Sequence, residues 1–154
     1  MLNDNVKLVQ EHATTIAFPK DELAQEWFAV MLRGPSGSGK SDLALRLIDQ
    51  GAVLVADDRS CMENKDGTIW VSPPESLAGK LEVRGLGIMQ VSYKEHAPLQ
   101  LVVDLKPLNE IERIPEQKTV TYLGHDVSYV QVCAFEASAA LKIRYALNAD
   151  WLEI

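Results

Sequence analysis

The chain has 154 residues, 47% of them hydrophobic and 24% charged, the make-up expected of one ordinary globular domain rather than of a disordered or multidomain protein. Fifteen basic against twenty-two acidic residues give a net charge of -7, which disfavours nucleic acid or an anionic membrane as a general partner yet leaves room for a phosphate held by local backbone amides. No apolar run approaches membrane length and MLNDNVKLVQ lacks the basic-then-apolar pattern of a signal peptide, so the expected compartment is the cytoplasm.

In chain order, Val9 to Phe18 mixes β-branched and apolar residues and reads as one or two short strands ended by Pro19. PKDELAQEW is a loop or a short surface helix, and FAVMLRG is a buried strand running into glycine. In GPSGSGKSDLALRLIDQG, Leu43, Ala44, Leu47 and Ile48 form an apolar stripe at helical spacing, with Gly51 placed to cap the C-terminus. AVLVADD is a second buried strand, its unbroken apolar run suited to a sheet covered on both faces. CMENKDGTIWVS reads as a hairpin around Asp66-Gly67, Pro73 and Pro74 interrupt the chain, and the glycines of RGLG turn it tightly between Glu82 and Ile88. LQLVVDL is a strand stopped by Pro107, and LNEIERIP is a turn or one to two helical turns. TVTYL and HDVSYVQVC are strands around Gly124, and EASAALKIRYALNA is a helix with Ala139, Ile143 and Leu147 along one side. Cys61 and Cys133, outside any CxxC, are expected as buried thiols, and His12, His96 and His125 lack a ligand spacing.

The stretch Gly34, Pro35, Ser36, Gly37, Ser38, Gly39, Lys40, Ser41 matches GxxxxGKS, between an expected strand and an expected helix. Its glycines let successive N–H groups point inward, and the first helical turn adds unpaired donors and its positive end. Lys40 can reach the β and γ phosphates of a nucleotide, and Ser41 can ligate magnesium. Asp57 and Asp58 close the second strand, where one acid can take the ion and the other can accept a proton from an incoming hydroxyl. Strand alternation would not aim both side chains the same way. The guanine-reading NKxD is missing, and Arg59, Arg84 and Arg113 are too dispersed to form an arginine lid. On residues alone the reading stops at nucleotide-dependent phosphoryl transfer, with a protein kinase, a small-molecule kinase and a nucleotide-dependent regulatory binding module all open.

GPSGSGKSDLALRLI, LVADDR and above all LEVRGLGIMQV resemble the HPr kinase/phosphorylase family, specifically its catalytic domain in the short alphaproteobacterial form, from about His12 to Leu147. The resemblance implies an α/β fold: a P-loop nucleotide-binding core similar to that of phosphoenolpyruvate carboxykinase, with a mixed β-sheet and flanking helices, forming a single domain over 1–154. It implies ATP and Mg²⁺ as cofactors and a serine of HPr, or of an HPr-like phosphocarrier, as the acceptor. In many members inorganic phosphate removes the phosphoryl group again as pyrophosphate. Carried onto this chain, it implies catalytic roles for His12 in HATT, for Lys40, for Asp58 as base in the forward and acid in the reverse direction, and for Arg113 on the phosphoryl group. Ser41, Asp57 and Glu82 become the metal ligands, the roles of Asp57 and Asp58 being exchangeable, and Arg84, Gly85 and Gly87 shape the loop after Glu82. SYKEHAPLQ and TYLGHDVSY replace a glycine- and alanine-rich stretch and a basic loop of the long form. Sugar-phosphate control is therefore not expected, the kinase direction is better supported than the phosphorylase one, and a homo-oligomer is left open.

Overall fold

The computed structural model describes residues 8–23 and 25–148. Over these the elements run β1 (Leu8–Glu11), β2 (Ala13–Pro19), β3 (Trp27–Arg33), α1 (Lys40–Asp49), β4 (Val53–Ala56), β5 (Ser60–Lys65), β6 (Thr68–Ser72), β7 (Lys80–Val83), β8 (Gly87–Gln90), β9 (Ala97–Leu105), β10 (Lys118–Tyr122), β11 (His125–Val132) and α2 (Ala139–Leu147). PKDELAQEW takes the loop alternative, with turns and bends at 20–23 and 25–26. LNEIERIP forms one short 3₁₀ turn at Leu108–Glu110.

Nine of these strands build one mixed, curled sheet in the order β1-β5-β6-β9-β3-β2-β4, with β11 added beside β9 and β10 beside β11, while β7 and β8 pair as a separate antiparallel hairpin. The pairs β3–β9 and β9–β11 are parallel, while β2 runs antiparallel to both β3 and β4. The curl has a local origin on β9. Its first residues pair with β6 at Ala97 and Pro98, and its last five pair with β11. A register shift against β3 falls between those stretches, so Leu99 packs into one core and Leu101 into the other.

Both faces of the central strands are covered, which explains the unbroken apolar runs of β3, β4 and β9. On one face Val30, Leu32, Leu54, Leu101 and Val103 pack under α1, α2 and β7; on the other Ala29, Met31, Val55 and Val102 pack against Met62, Ile69 and Val71 of the β5–β6 hairpin. Of the predicted stripe, helix α1 buries Leu43, Ala44 and Leu47, with Ile48 partly buried against the same core. Its end is closed as expected: Gly51, at φ 109°, donates to Ile48 O at 3.1 Å and Ala52 N–H reaches Leu47 O at 3.1 Å, the paired bonds of a Schellman cap. Cys61 and Cys133 are free, buried thiols. Among the described residues, no helix is long and apolar enough to cross a membrane.

Candidate active site

The sheet topology gathers the predicted residues at one rim. β3 ends there at Arg33 and runs into the glycine-rich loop and α1. β2, antiparallel to β3, begins at that rim with Ala13, placing His12 and Thr14 beside it. β4, antiparallel to β2, ends there at Ala56 and delivers Asp57 and Asp58.

Asp57 is buried and held from three sides. Ser41 Oγ donates to its Oδ1 at 2.8 Å, Thr14 Oγ1 donates to the same oxygen at 3.0 Å, and the Glu82 backbone N–H donates to Oδ2 at 3.0 Å. Asp58 turns the other way because its backbone is left-handed, at φ 65°, a conformation aspartate tolerates better than most residues. Its N–H is fixed on Thr14 Oγ1 at 3.1 Å and its carboxylate meets His12 Nε2 at 2.5 Å. The His12 and Asp58 side chains remain 53% and 62% exposed, open to an approaching group.

Lys40 is buried at the first position of α1, and its Nζ donates to Gly34 O at 2.6 Å and Pro35 O at 3.1 Å. Burial lowers its pKa from the ordinary lysine value, against the opposing attraction of Asp58 and Asp57. Inside the loop, Ser38 Oγ is buried without a hydrogen-bond partner among the described residues. A Cβ at Gly34 would lie 2.5 Å from that oxygen and 3.0 Å from Ser38 Cβ, so a side chain there would have to displace Ser38. An amide-rich turn with an ammonium and an unfilled hydroxyl suits a polyphosphate, and the adjacent Ser41 and Asp57 oxygens suit a hard divalent cation such as Mg²⁺. The residues present thus fit ATP and Mg²⁺.

Two expected members stand apart. The Glu82 side chain is exposed and makes no hydrogen bond or ion pair among the described residues, so the structure brings in its backbone rather than its carboxylate. Among the described residues no three His, Cys, Asp or Glu side chains converge as a metal-binding group. Arg113 lies exposed in the connection between β9 and β10, without an ion pair among the described residues, and is not joined to His12, Lys40 or Asp58. That connection does leave β9 at the same rim, since β9 is parallel to β3.

Sequence reasoning passes over Thr14, which ties Asp57 and Asp58 together but reads in HATT as a strand former. It also passes over a second polar cluster at this rim, on the opposite face of the sheet. There Arg33 Nε and Nη2 donate to Asp104 Oδ1 and Oδ2 at 2.6 and 2.9 Å, and Nη1 donates to Tyr122 OH at 2.7 Å. Tyr129 OH completes it on Asp104 Oδ2 at 2.9 Å. Burial alone would lower the Arg33 pKa, but hydrogen bonds and charge from Asp104 and Tyr122 raise it overall. The only sequence signal was the apolar run LVVD ending in an acid beside a strand that ends in arginine.

A curled mixed sheet flanked by two helices, with a glycine-rich turn, a buried lysine and two aspartates at one rim, defines an α/β protein. Residues 27–144 match the HPr Serine kinase C-terminal domain, so the chain belongs to that family. The HPr kinase/phosphorylase of Streptococcus sanguinis (strain SK36) is 38% identical over 111 residues, covering 67% of this chain and 34% of that protein. That of Streptococcus thermophilus (strain CNRZ 1066) is 51% identical over 63 residues, covering 40% of this chain and 20% of that one. The chain therefore spans at most about a third of the length of these curated relatives. The HPr(Ser) kinase/phosphatase from Coxiella burnetii shares the fold, with a TM-score of 0.78 at 23% identity over 91% of this chain and 94% of that one. His12 lies outside the 27–144 match, so its placement rests on the geometry at Asp58.

Proposed function

We propose that this chain is an ATP- and Mg²⁺-dependent protein-serine kinase acting on HPr or an HPr-like phosphocarrier, with a phosphate-dependent reverse activity that releases pyrophosphate. The observation that carries the reading is the open His12–Asp58 pair standing beside the buried Lys40 and the Ser41–Asp57 bond. Family membership and relatives named HPr kinase/phosphorylase supply the substrate class. Both side chains of the pair are more than half exposed, which suits a serine presented on a protein surface better than a metabolite enclosed by a lid.

In the forward direction Asp58 accepts the proton of the serine hydroxyl as its oxygen bonds to the γ-phosphorus and the bond to the β–γ bridging oxygen breaks. His12 orients that carboxylate. Lys40 and the amides of Gly34, Ser36, Gly37, Ser38 and Gly39 hold the phosphates, with Pro35 shaping the turn, while Ser41 and Asp57, with Glu82 as the further carboxylate, would hold Mg²⁺. Bound Mg²⁺ supplies neutralisation of the charge on the transferring group. Arg113, exposed and without an ion pair among the described residues, is assigned to the phosphoserine side. In reverse, inorganic phosphate takes the place of the β-phosphate, its oxygen bonds to the phosphoserine phosphorus as the bond to the serine oxygen breaks, and Asp58 returns the proton to that serine oxygen. The same proposal takes the core as a phosphate-loop type like that of phosphoenolpyruvate carboxykinase, and the chain as a single cytoplasmic domain of the short alphaproteobacterial form.

The test is incubation of purified protein with γ-labelled ATP, Mg²⁺ and purified HPr. Label on a serine of the carrier supports the reading. A carrier left unlabelled across a range of Mg²⁺ and protein concentrations removes the substrate assignment. Tight Mg-ATP and carrier binding without phosphoserine would select a regulatory binding module instead.

A further inference from the structure

We propose that Phe135 is the platform on which the base of the bound nucleotide stacks, which makes it a ligand-binding residue of the site. The assignment rests on the nucleotide-binding reading above. Phe135 follows β11, whose carboxyl end lies at the same rim as those of β3 and β9 because the three are parallel. In α/β sheets that rim is where ligands bind. Its ring is 77% exposed.

Its backbone, in contrast, is tightly held. The flanking Cys133 and Ala134 are buried, and Arg46 of α1 reaches across to donate from Nη2 to Ala134 O at 2.5 Å. Glu136 N–H bonds Cys133 O at 3.2 Å, and the Glu136 carboxylate is paired with Lys142 at 2.7 Å. The turn is also interlocked with the phosphate loop at Gly39, where a Cβ would lie 2.9 Å from Ala134 Cβ and 3.6 and 3.7 Å from Cε1 and Cζ of the Phe135 ring. Glycine is thus needed at 39 for close approach as well as for its φ of 95°. The ring edge therefore stands beside Gly39, one position before Lys40.

A large apolar ring standing in water on an anchored turn gains nothing for folding. Its place beside Gly39 gives it a partner. With phosphates on the loop amides and Lys40, the nucleoside must extend beyond the loop, and the ring stands beside its wall at Gly39. Every base presents a π-face to an aromatic platform, so the contact adds affinity for the nucleoside and none for phosphates alone.

The experiment compares binding of Mg-ATP and of Mg-tripolyphosphate by calorimetry for the parent chain, Phe135→Ala, Phe135→Tyr and Lys40→Ala, with thermal melts of each. Phe135→Ala is expected to weaken ATP about tenfold and leave tripolyphosphate unchanged, with Phe135→Tyr restoring ATP binding. Lys40→Ala is expected to weaken both ligands. ATP affinity unchanged in Phe135→Ala overturns the assignment, as does an equal loss for both ligands, which would mean a disturbed loop. A parent chain that binds neither ligand overturns the phosphate-loop reading itself, and the assignment with it.

Discussion

Two polar clusters sit at the same rim of the sheet, on opposite faces, and they are built on opposite principles. In the Arg33–Asp104 cluster both carboxylate oxygens and all three guanidinium nitrogens have partners, and Tyr122 and Tyr129 stand with their rings 5.9 and 5.8 Å from the guanidinium carbon. Charge there is neutralised within the protein, and the product is a clamp joining the ends of β3, β9, β10 and β11. In the cluster around Asp57 and Asp58, only the inner carboxylate is closed. The outer one faces water with a histidine beside it, and the nearby lysine is parked on two loop carbonyls. A cluster that satisfies itself holds strands in place, whereas one left open at its outer edge has capacity for a ligand.

The largest test of this contrast lies within the open cluster. Asp58→Asn keeps the shape and removes the proton acceptor, so single-turnover phosphoryl transfer is expected to fall about a hundredfold or more. The dissociation constant for Mg-nucleotide should stay nearly unchanged. Asp57→Asn removes a carboxylate held by Ser41 and Thr14, so it is expected to weaken Mg²⁺-dependent nucleotide binding as well. The opposite ordering of the two variants would mean that the aspartates exchange roles.

The closed cluster should respond in stability instead. Asp104→Ala leaves a partly buried guanidinium without its bidentate partner and is expected to cost about 2–3 kcal/mol in urea unfolding. Adding Arg33→Met to it should recover much of that loss, because the stranded charge is removed too. Unchanged unfolding together with lost phosphoryl transfer would place Arg33 and Asp104 in the active site and erase the distinction.

What could be read in advance follows the range of the interactions. GPSGSGKS, the apolar stripe of α1 and the cap at Gly51 are local patterns, and LVADD announces a strand ending in two acids. Both aspartates lie beyond the end of β4, so the left-handed turn at Asp58 and not strand alternation sends their side chains apart, and no local pattern records that turn. The curl of the sheet depends on a register shift near Gln100 and on β9 changing partners, which no local pattern records. Arg33 and Asp104 are 71 positions apart. Thr14 carries no motif, and the value of Phe135 exists only through its place beside Gly39. For Glu82 the signature identifies the segment, but the side chain's direction belongs to the β7–β8 hairpin.

A smaller effect is expected in the reverse reaction. The loop amides, Lys40 and Asp58 that phosphorolysis needs are in place, but the segment TYLGHDVSY carries no arginine to add positive charge. Dephosphorylation of serine-phosphorylated HPr should therefore be slow, dependent on inorganic phosphate and accompanied by pyrophosphate. Equal loss without phosphate would indicate hydrolysis, and no loss in a preparation active as a kinase would confine the chain to the forward direction.

The smallest expected effect is a pH dependence whose two readouts move in opposite directions. Burial lowers the pKa of Lys40 in the folded chain from the ordinary value of 10.5. Between the lowered value and 10.5 the unfolded chain binds more protons than the folded one, so the lysine's contribution to the stability of the nucleotide-free protein rises with pH through that window. Nucleotide phosphates, however, require the ammonium, so ATP affinity falls as pH rises through the same lowered value. Tyr122 and Tyr129, raised chiefly by burial from 10.0, act oppositely on stability once unfolded tyrosine begins to ionise, so melts and titrations belong below 10.0. Lys40→Met is the reference. Subtracting its profile should leave a rise in melting temperature and a fall in ATP affinity with increasing pH, and a parallel fall in both would mean that the Lys40 ammonium stabilises the empty site instead of waiting in it.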